Sequence, residues 1–274
     1  MKIMPFISYA SNFEDVLLNR IFGEVDDGFY IDIGADHPTF SSTTKAFYDR
    51  GWCGVNVEPG PRIDLLKLER PRDFNVLAAI TDFDGEIDFY VNDDLQSTSS
   101  IFGELPPAVA ARTEISYTKR VPAMTLSSLV EKYVGGREVA FLKIDAEGAE
   151  GSIIKGADFN IFRPRIILAE STEPFSNKRI DRDWVELLAD KNYQEAYFDG
   201  INTWFVRNET PADLEYFRTP VNVLDDFVKY DPHLPKWQYT KALRSSDGKR
   251  KSIFHRLRRS LAKRFFKIAN VIAP

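Results

Sequence analysis

The chain has 274 residues, 43% hydrophobic and 28% charged, the balance of a soluble globular protein long enough for one large α/β domain with its own core. A single cysteine, Cys53, excludes an intramolecular disulfide and a cysteine-rich metal site and fits a reducing, cytoplasmic compartment. The net charge of −5 is unevenly divided: residues 241–274 hold eleven Lys and Arg against one acid, Asp247, a net +10 that leaves −15 on the rest, and so acidic a body argues against nucleic acid as a partner.

Met1 to Ala10 lacks the pattern of a secretory signal, and no run of about 18 apolar residues is long enough for a membrane span. From there strand and helix patterns alternate. A helix is predicted over 11–22, then a strand from Gly28 to Ile33 and a helix near 41–50. A second strand runs from Cys53 to Glu58, followed by a helix near 61–69 and a third strand from Phe74 to Ile80. Glu86 to Val91 alternates after the Asp84-Gly85 turn and reads as an additional strand. Residues 92–120 are polar and irregular and read as a long loop or lid. A helix from Leu126 to Val134 is stopped by Gly135-Gly136, and a fourth strand runs from Val139 to Ile144. A short helix near 148–155, a fifth strand from Arg165 to Glu170 and a helix over 181–190 follow.

The pattern then changes. Tyr193 to Phe198 and Thr203 to Arg207 are joined through Asp199-Gly200, too short a connection for anything but antiparallel pairing. The expected fold is therefore α/β: a doubly wound, mostly parallel seven-strand sheet of Rossmann-like kind with a terminal antiparallel hairpin. The hairpin is what separates methyltransferase sheets from ordinary dinucleotide-binding ones.

Ligands of such sheets bind beyond the carboxyl ends of the strands. The first strand ends in Asp32-Ile-Gly34, followed by Ala35, Asp36 and His37. Gly34 lets backbone approach a ligand, Asp32 offers an acceptor for an amino group, and Asp36 and His37 sit over the same crevice. A dinucleotide loop wants Gly-x-Gly-x-x-Gly, but here the later glycines are missing and Asp36 would repel a pyrophosphate. A phosphate-free cofactor with a positive sulfonium, S-adenosylmethionine, suits the loop better. Glu58, followed by Pro59, ends the second strand, where an acid can accept both ribose hydroxyls. Ala79, Ile80 and Asp82 end the third, where an adenine would pack. The fourth strand runs into Asp145, Glu147 and Glu150; so many close carboxylates resist joint ionisation, although Glu150 also reads as a surface helix residue.

Together these stretches resemble the FkbM family of methyltransferases. The resemblance rests on Ser8-Tyr-Ala-Ser-Asn-Phe-Glu-Asp-Val16, Tyr30-Ile-Asp-Ile-Gly-Ala35 and Val57-Glu-Pro59. It continues through Leu142-Lys-Ile-Asp-Ala-Glu-Gly148, Ile167-Leu-Ala-Glu170 and Phe198-Asp-Gly-Ile-Asn-Thr-Trp-Phe-Val206, spanning roughly residues 6–230. It departs at Pro38 and Thr39, where many members have glycine, and looks like the branch with His-Pro in that loop.

The resemblance implies S-adenosylmethionine-dependent methylation of a hydroxyl, often on a glycan sugar, with a sugar or glycan acceptor as partner. A sugar hydroxyl is a poor nucleophile and needs a base or a metal. Candidate bases are His37, Asp145, Glu147 and Glu170, and Asp145 with Glu170 is the candidate pair for Mg2+. Asn12, Glu14 and Asp15 resemble the family's flap over the cofactor; the alternative is ordinary helix capping by Ser11 or Asn12. Gln96 to Ser100 reads as a polar loop or a hydrogen-bonding segment, and Asn202 and Trp204 as rim residues, Trp204 either stacking on a sugar or serving the core.

Residues 231–252 read as a linker and 253–274 as a basic amphipathic helix. Phe254, Leu257, Leu261, Phe265, Ile268 and Ile272 recur at helical spacing, opposite Arg256, Arg259, Lys263 and Lys267. That pattern suits an anionic membrane surface, here the inner face of the cytoplasmic membrane; the alternative is a helix packed on a protein partner or on the chain's own acidic body. Two other classes stay in play: an NAD-dependent oxidoreductase or epimerase on a similar sheet, and a non-catalytic scaffold recruited by its basic tail.

Overall fold

The computed structural model describes residues 6–93, 98–180 and 182–233. Its elements begin β1 (Phe6–Ser8), α1 (Glu14–Phe22), β2 (Phe29–Ile33), α2 (Lys45–Asp49), β3 (Cys53–Val57) and α3 (Ile63–Glu69). They continue with β4 (Phe74–Val76), β5 (Ala79–Thr81), β6 (Gly85–Val91), α4 (Pro107–Ala110), β7 (Tyr117–Thr125) and α5 (Leu126–Tyr133). Then come β8 (Phe141–Ile144), α6 (Glu150–Lys155), β9 (Ile166–Glu170), α7 (Arg182–Asp190), β10 (Tyr193–Phe198) and β11 (Asn202–Arg207). A 3-10 helix over Pro211–Phe217, another over Val223–Asp225 and β12 (Phe227–Lys229) complete the order.

The chain divides into two units. Tyr9–Val221 forms one, and the segments on either side of it form the other. In the smaller, β1 pairs in parallel with β12, Phe6 opposite Phe227, and Tyr230 N donates to Ser8 O at 2.7 Å.

The larger unit is built on a seven-stranded sheet in the order β10-β11-β9-β8-β2-β3-β4. β4, β3, β2, β8 and β9 are parallel neighbours, whereas β11 runs antiparallel to both β9 and β10. The sheet is thus mixed: the closing hairpin puts its second strand inside, next to β9, and its first strand at the edge. The reversal matters for the site, because it sets the start of β11 beside the end of β9, Asn202 opposite Glu170.

Alternation along β2 fixes the two faces. Phe29, Ile31 and Ile33 join Val55, Leu142 and Ile167 under Leu129 of α5, Ile153 of α6 and Leu188 of α7. Tyr30 points the other way, with Phe141, Leu168 and Trp204, against Leu18 and Phe22 of α1 and Phe47 of α2. Both faces of β2 are buried, as expected of a central strand covered by helices on each side.

Two expectations are corrected. The apolar run from Phe74 to Ile80 is not one strand: β4 pairs with β3, then β5 leaves and pairs in parallel with β7. Residues 92–120 are not wholly a loop either, since Pro107–Ala110 is helical and β7 begins at Tyr117 and pairs antiparallel with β6. This second sheet, β5-β7-β6, buries Ala79, Phe89, Val91 and Val121. Only a few apolar side chains of β7 turn inward, and Thr118, Lys119 and Arg120 are exposed, so its sequence reads as polar loop. The amphipathic segment 253–274 and nearly all of the 231–252 linker lie outside the described residues. Among the described residues no helix is long and apolar enough to cross a membrane.

Candidate active site

A cavity of about 530 Å3 opens beyond the carboxyl ends of β2, β3, β8 and β9. Gly34, Ala35, Asp36, His37, Glu58, Pro59, Ala79, Ile80, Asp145, Glu147 and Glu170 all line it. Of the residues expected there, Asp32 and Asp82 do not. Asp82 is exposed, because the chain turns away after β5. Asp32 is buried behind the wall: Lys143, its register partner across the β2–β8 pair, reaches its Oδ1 at 3.3 Å, and Thr44 Oγ1 donates to Oδ2 at 3.0 Å.

The first loop is shaped by backbone geometry. Gly34 has φ of 73°, and a Cβ there would sit 1.7 Å from Asp145 O, so the close approach of the β2 and β8 ends requires glycine. Gly34 N and Ala35 N donate to Val57 O. His37 Nδ1 accepts from Thr39 N and Phe40 N, both at 3.0 Å. The lone pair a base would use is therefore committed to the loop, and the neutral ring carries its proton on Nε2. Burial and nearby Arg62 lower its pKa, which keeps the ring neutral. His37 anchors the loop and can donate to a ligand.

Glu58 is held from two sides, Oε2 by Asp36 N at 2.9 Å and Oε1 by Gly60 N at 2.6 Å. Burial pushes its carboxyl up to about 7 despite both amides. Asp36 itself pairs with Arg62 at the cavity wall.

Beyond β8, Glu147 and Gly148 take positive φ in succession, 52° and 100°, a left-handed turn that is costly at Glu147. Glu150 braces this turn from within, accepting from Ala146 N at 2.9 Å and Gly148 N at 3.4 Å. It is buried, not a surface helix residue, and burial raises its carboxyl to about 7. Asp145, Glu147 and Glu170 each place an oxygen within 4.8 Å of the others. Burial first, and the neighbouring Asp145 carboxylate second, push Glu147 well above the usual range and Glu170 up to about 10. The two raised carboxyls favour their protonated forms, and the cluster resists joint ionisation.

Lys143, like Arg62, lines the cavity without a signal in the sequence that marks it as a site residue. Its Nζ contacts Gly34 O at 2.8 Å and Asp145 Oδ2 at 3.3 Å, in addition to Asp32. Its place inside a strand pattern gives little sign that the ammonium turns back toward the loops. Of the three residues of the flap reading Glu14 lines the cavity, beside Ser11, and Asn12 does not; Glu14 Oε1 accepts from Asn202 Nδ2 at 3.1 Å. Asp15 instead faces away, accepting from Tyr9 N at 2.6 Å. The helix α1 begins after Phe13 in a left-handed conformation with no side-chain cap, so Ser11 and Asn12 do not cap it. Ser99, Ile101 and Phe89 also line the cavity, brought in by the second sheet. Trp204 is fully buried in the core, with its indole N–H donating to Asp199 Oδ2 at 2.7 Å, and does not reach the rim.

The family model described as Methyltransferase FkbM domain matches residues 32–195, more than half of the chain. No significant match occurs among curated proteins or solved structures. The matched span runs from the end of β2 into the closing hairpin and so contains Gly34, Glu58, Asp145, Glu147 and Glu170 with the strands that present them; the chain belongs to the FkbM methyltransferase family.

Proposed function

We propose that the protein transfers a methyl group from S-adenosylmethionine to a hydroxyl of a sugar in a cell-surface glycan or lipid-linked saccharide. The observation that carries the cofactor reading is Glu58: a buried strand-end carboxylate with each oxygen oriented by a backbone amide, at the wall of an otherwise acidic cavity. The donor set fits this cofactor. Glu58 has lone pairs left for two ribose hydroxyls, and Val57, Ala79, Ile80 and Phe89 supply apolar walls for a purine. Six carboxyl groups, Glu14, Asp36, Glu58, Asp145, Glu147 and Glu170, face the cavity, and Lys143 and Arg62 are paired with Asp145 and Asp36, so no free cation is offered to a pyrophosphate among these lining residues.

When bound, S-adenosylmethionine supplies an electrophilic methyl on a positively charged sulfur. The protein's own part is to orient the acceptor hydroxyl and take its proton. Glu147 and Glu170 are both pushed toward their protonated forms and His37 Nδ1 is committed to the loop, so we assign the base to Asp145, with Glu147 beside it. A neutral polyol suits this cluster, since carboxylates accept from hydroxyls and repel an anionic acceptor. We extend the proposal to Mg2+ held by Asp145, Glu147 and Glu170, an all-oxygen set that suits that ion.

The test is calorimetric titration with S-adenosylhomocysteine in parallel with NADH, with and without Mg2+. Binding of the homocysteine compound, lost in Glu58→Ala, supports the reading. Binding of NADH in its place overturns it in favour of an oxidoreductase, and binding of neither leaves the non-catalytic scaffold.

A further inference from the structure

The Gly34–Pro38 loop carries four cavity residues in a row, yet it has one glycine where phosphate-binding loops of this kind have three. Something other than backbone permissiveness holds it. Its first carbonyl, Gly34 O, accepts from Lys143 Nζ at 2.8 Å, and its last, Pro38 O, accepts from Arg70 Nη1 at 2.8 Å. The two cations are joined beneath the loop. Lys143 contacts Asp32 Oδ1 at 3.3 Å, Thr44 Oγ1 donates to Asp32 Oδ2 at 3.0 Å, and Arg70 Nη2 donates to Thr44 Oγ1 at 2.7 Å. Arg70 is completed by Asp73, whose Oδ2 lies 3.2 Å from its Nε.

Asp32, Thr44 and Arg70 are each only 1% exposed, and none of them lines the cavity. Burying two cations and two carboxylates costs more than an apolar filling would, so the arrangement does not serve packing alone. Lys143 donates to Gly34 O and forms ion pairs with both Asp32 and Asp145, which ties its ammonium to the two strand ends.

We propose that Lys143, Asp32, Thr44 and Arg70 form one buried positioning network that clamps both ends of the Gly34–Pro38 loop and holds it ready for the cofactor. The proposal rests on the cofactor reading above for its ligand, but the clamp is a property of the free protein. A loop that is competent for only a tenth of the time weakens apparent affinity tenfold. Thr44 is the hinge of the network, and Thr44→Val removes its hydroxyl at nearly constant shape.

The experiment uses the full-length protein. Amide hydrogen exchange over Ala35 to His37 is measured without ligand, and S-adenosylhomocysteine affinity by calorimetry. Thr44→Val is expected to speed loop exchange and weaken binding about tenfold, while Thr44→Ser, which keeps the hydroxyl, stays within about twofold of the wild type. Thr44→Val with wild-type exchange and affinity overturns the proposal, as does a Thr44→Ser variant as impaired as Thr44→Val. Should Thr44→Val fail to fold, Arg70→Lys keeps the charge while giving up the reach to both Pro38 O and Thr44; wild-type loop exchange there also overturns it. If the wild type does not bind S-adenosylhomocysteine, the cofactor reading falls, and loop exchange in the variants still decides the network.

Discussion

Glu58 shows how a single residue ties cofactor to pH. Its carboxyl lies near 7, and hydroxyls of a ribose would donate to the ionised form. Binding of S-adenosylhomocysteine should therefore strengthen as pH rises from 6 to 8 and release protons near pH 7. Calorimetry in buffers of different ionisation heat measures that release, and Glu58→Gln should abolish it along with at least tenfold of the affinity. The stability sign is opposite. Glu58 and Glu150 have folded values raised above the ordinary 4.5, so their contribution is full below that value and is lost as pH rises through about 7. Each accounts for roughly 3 kcal/mol, and denaturant midpoints between pH 5 and 8 should fall less in Glu58→Gln than in the wild type. At His37 the expected outcome concerns anchoring. His37→Asn offers an oxygen to the same two amides and should melt near the wild type, while His37→Ala should lose about 1–2 kcal/mol. Most cavity residues were legible because strand ends in this kind of sheet face the ligand. Asp32 lies behind the cavity wall, and its position in the strand says nothing of the lysine opposite.

At the level of elements, the strand-to-loop junctions are the sensitive points. Gly34→Ala would force a Cβ against Asp145 O, so the ends of β2 and β8 must separate. The expected cost is more than about 4 kcal/mol, read as loss of soluble protein or a collapse of the thermal midpoint, whereas Gly136→Ala, with open space around it, should cost far less. The closing hairpin was legible because so short a turn, three residues between β10 and β11, leaves one choice of pairing. The split between β4 and β5 was not, since a continuous apolar run gives no sign that two halves join different sheets. Nor was β7, whose first four residues, Tyr117 to Arg120, are all exposed and carry no apolar alternation.

Across the whole molecule, charge is distributed as two populations, the acidic body and the tail of net +10 over residues 241–274. We predict that the full chain co-sediments with anionic vesicles and that deletion of 241–274 removes that binding; equal sedimentation of both would assign the tail another role. The sequence by itself determined the order of the strands and helices of the main sheet, the antiparallel hairpin, and the gathering of acids at strand ends, because hydrophobic period, turn length and residue type are local properties. Only the tertiary structure decided which of those acids meet the cavity and which lie behind it, which nitrogen of His37 is committed, and that Lys143 closes a circuit between two strands. Those outcomes depend on register and on side chains arriving from distant parts of the chain, which no local pattern encodes.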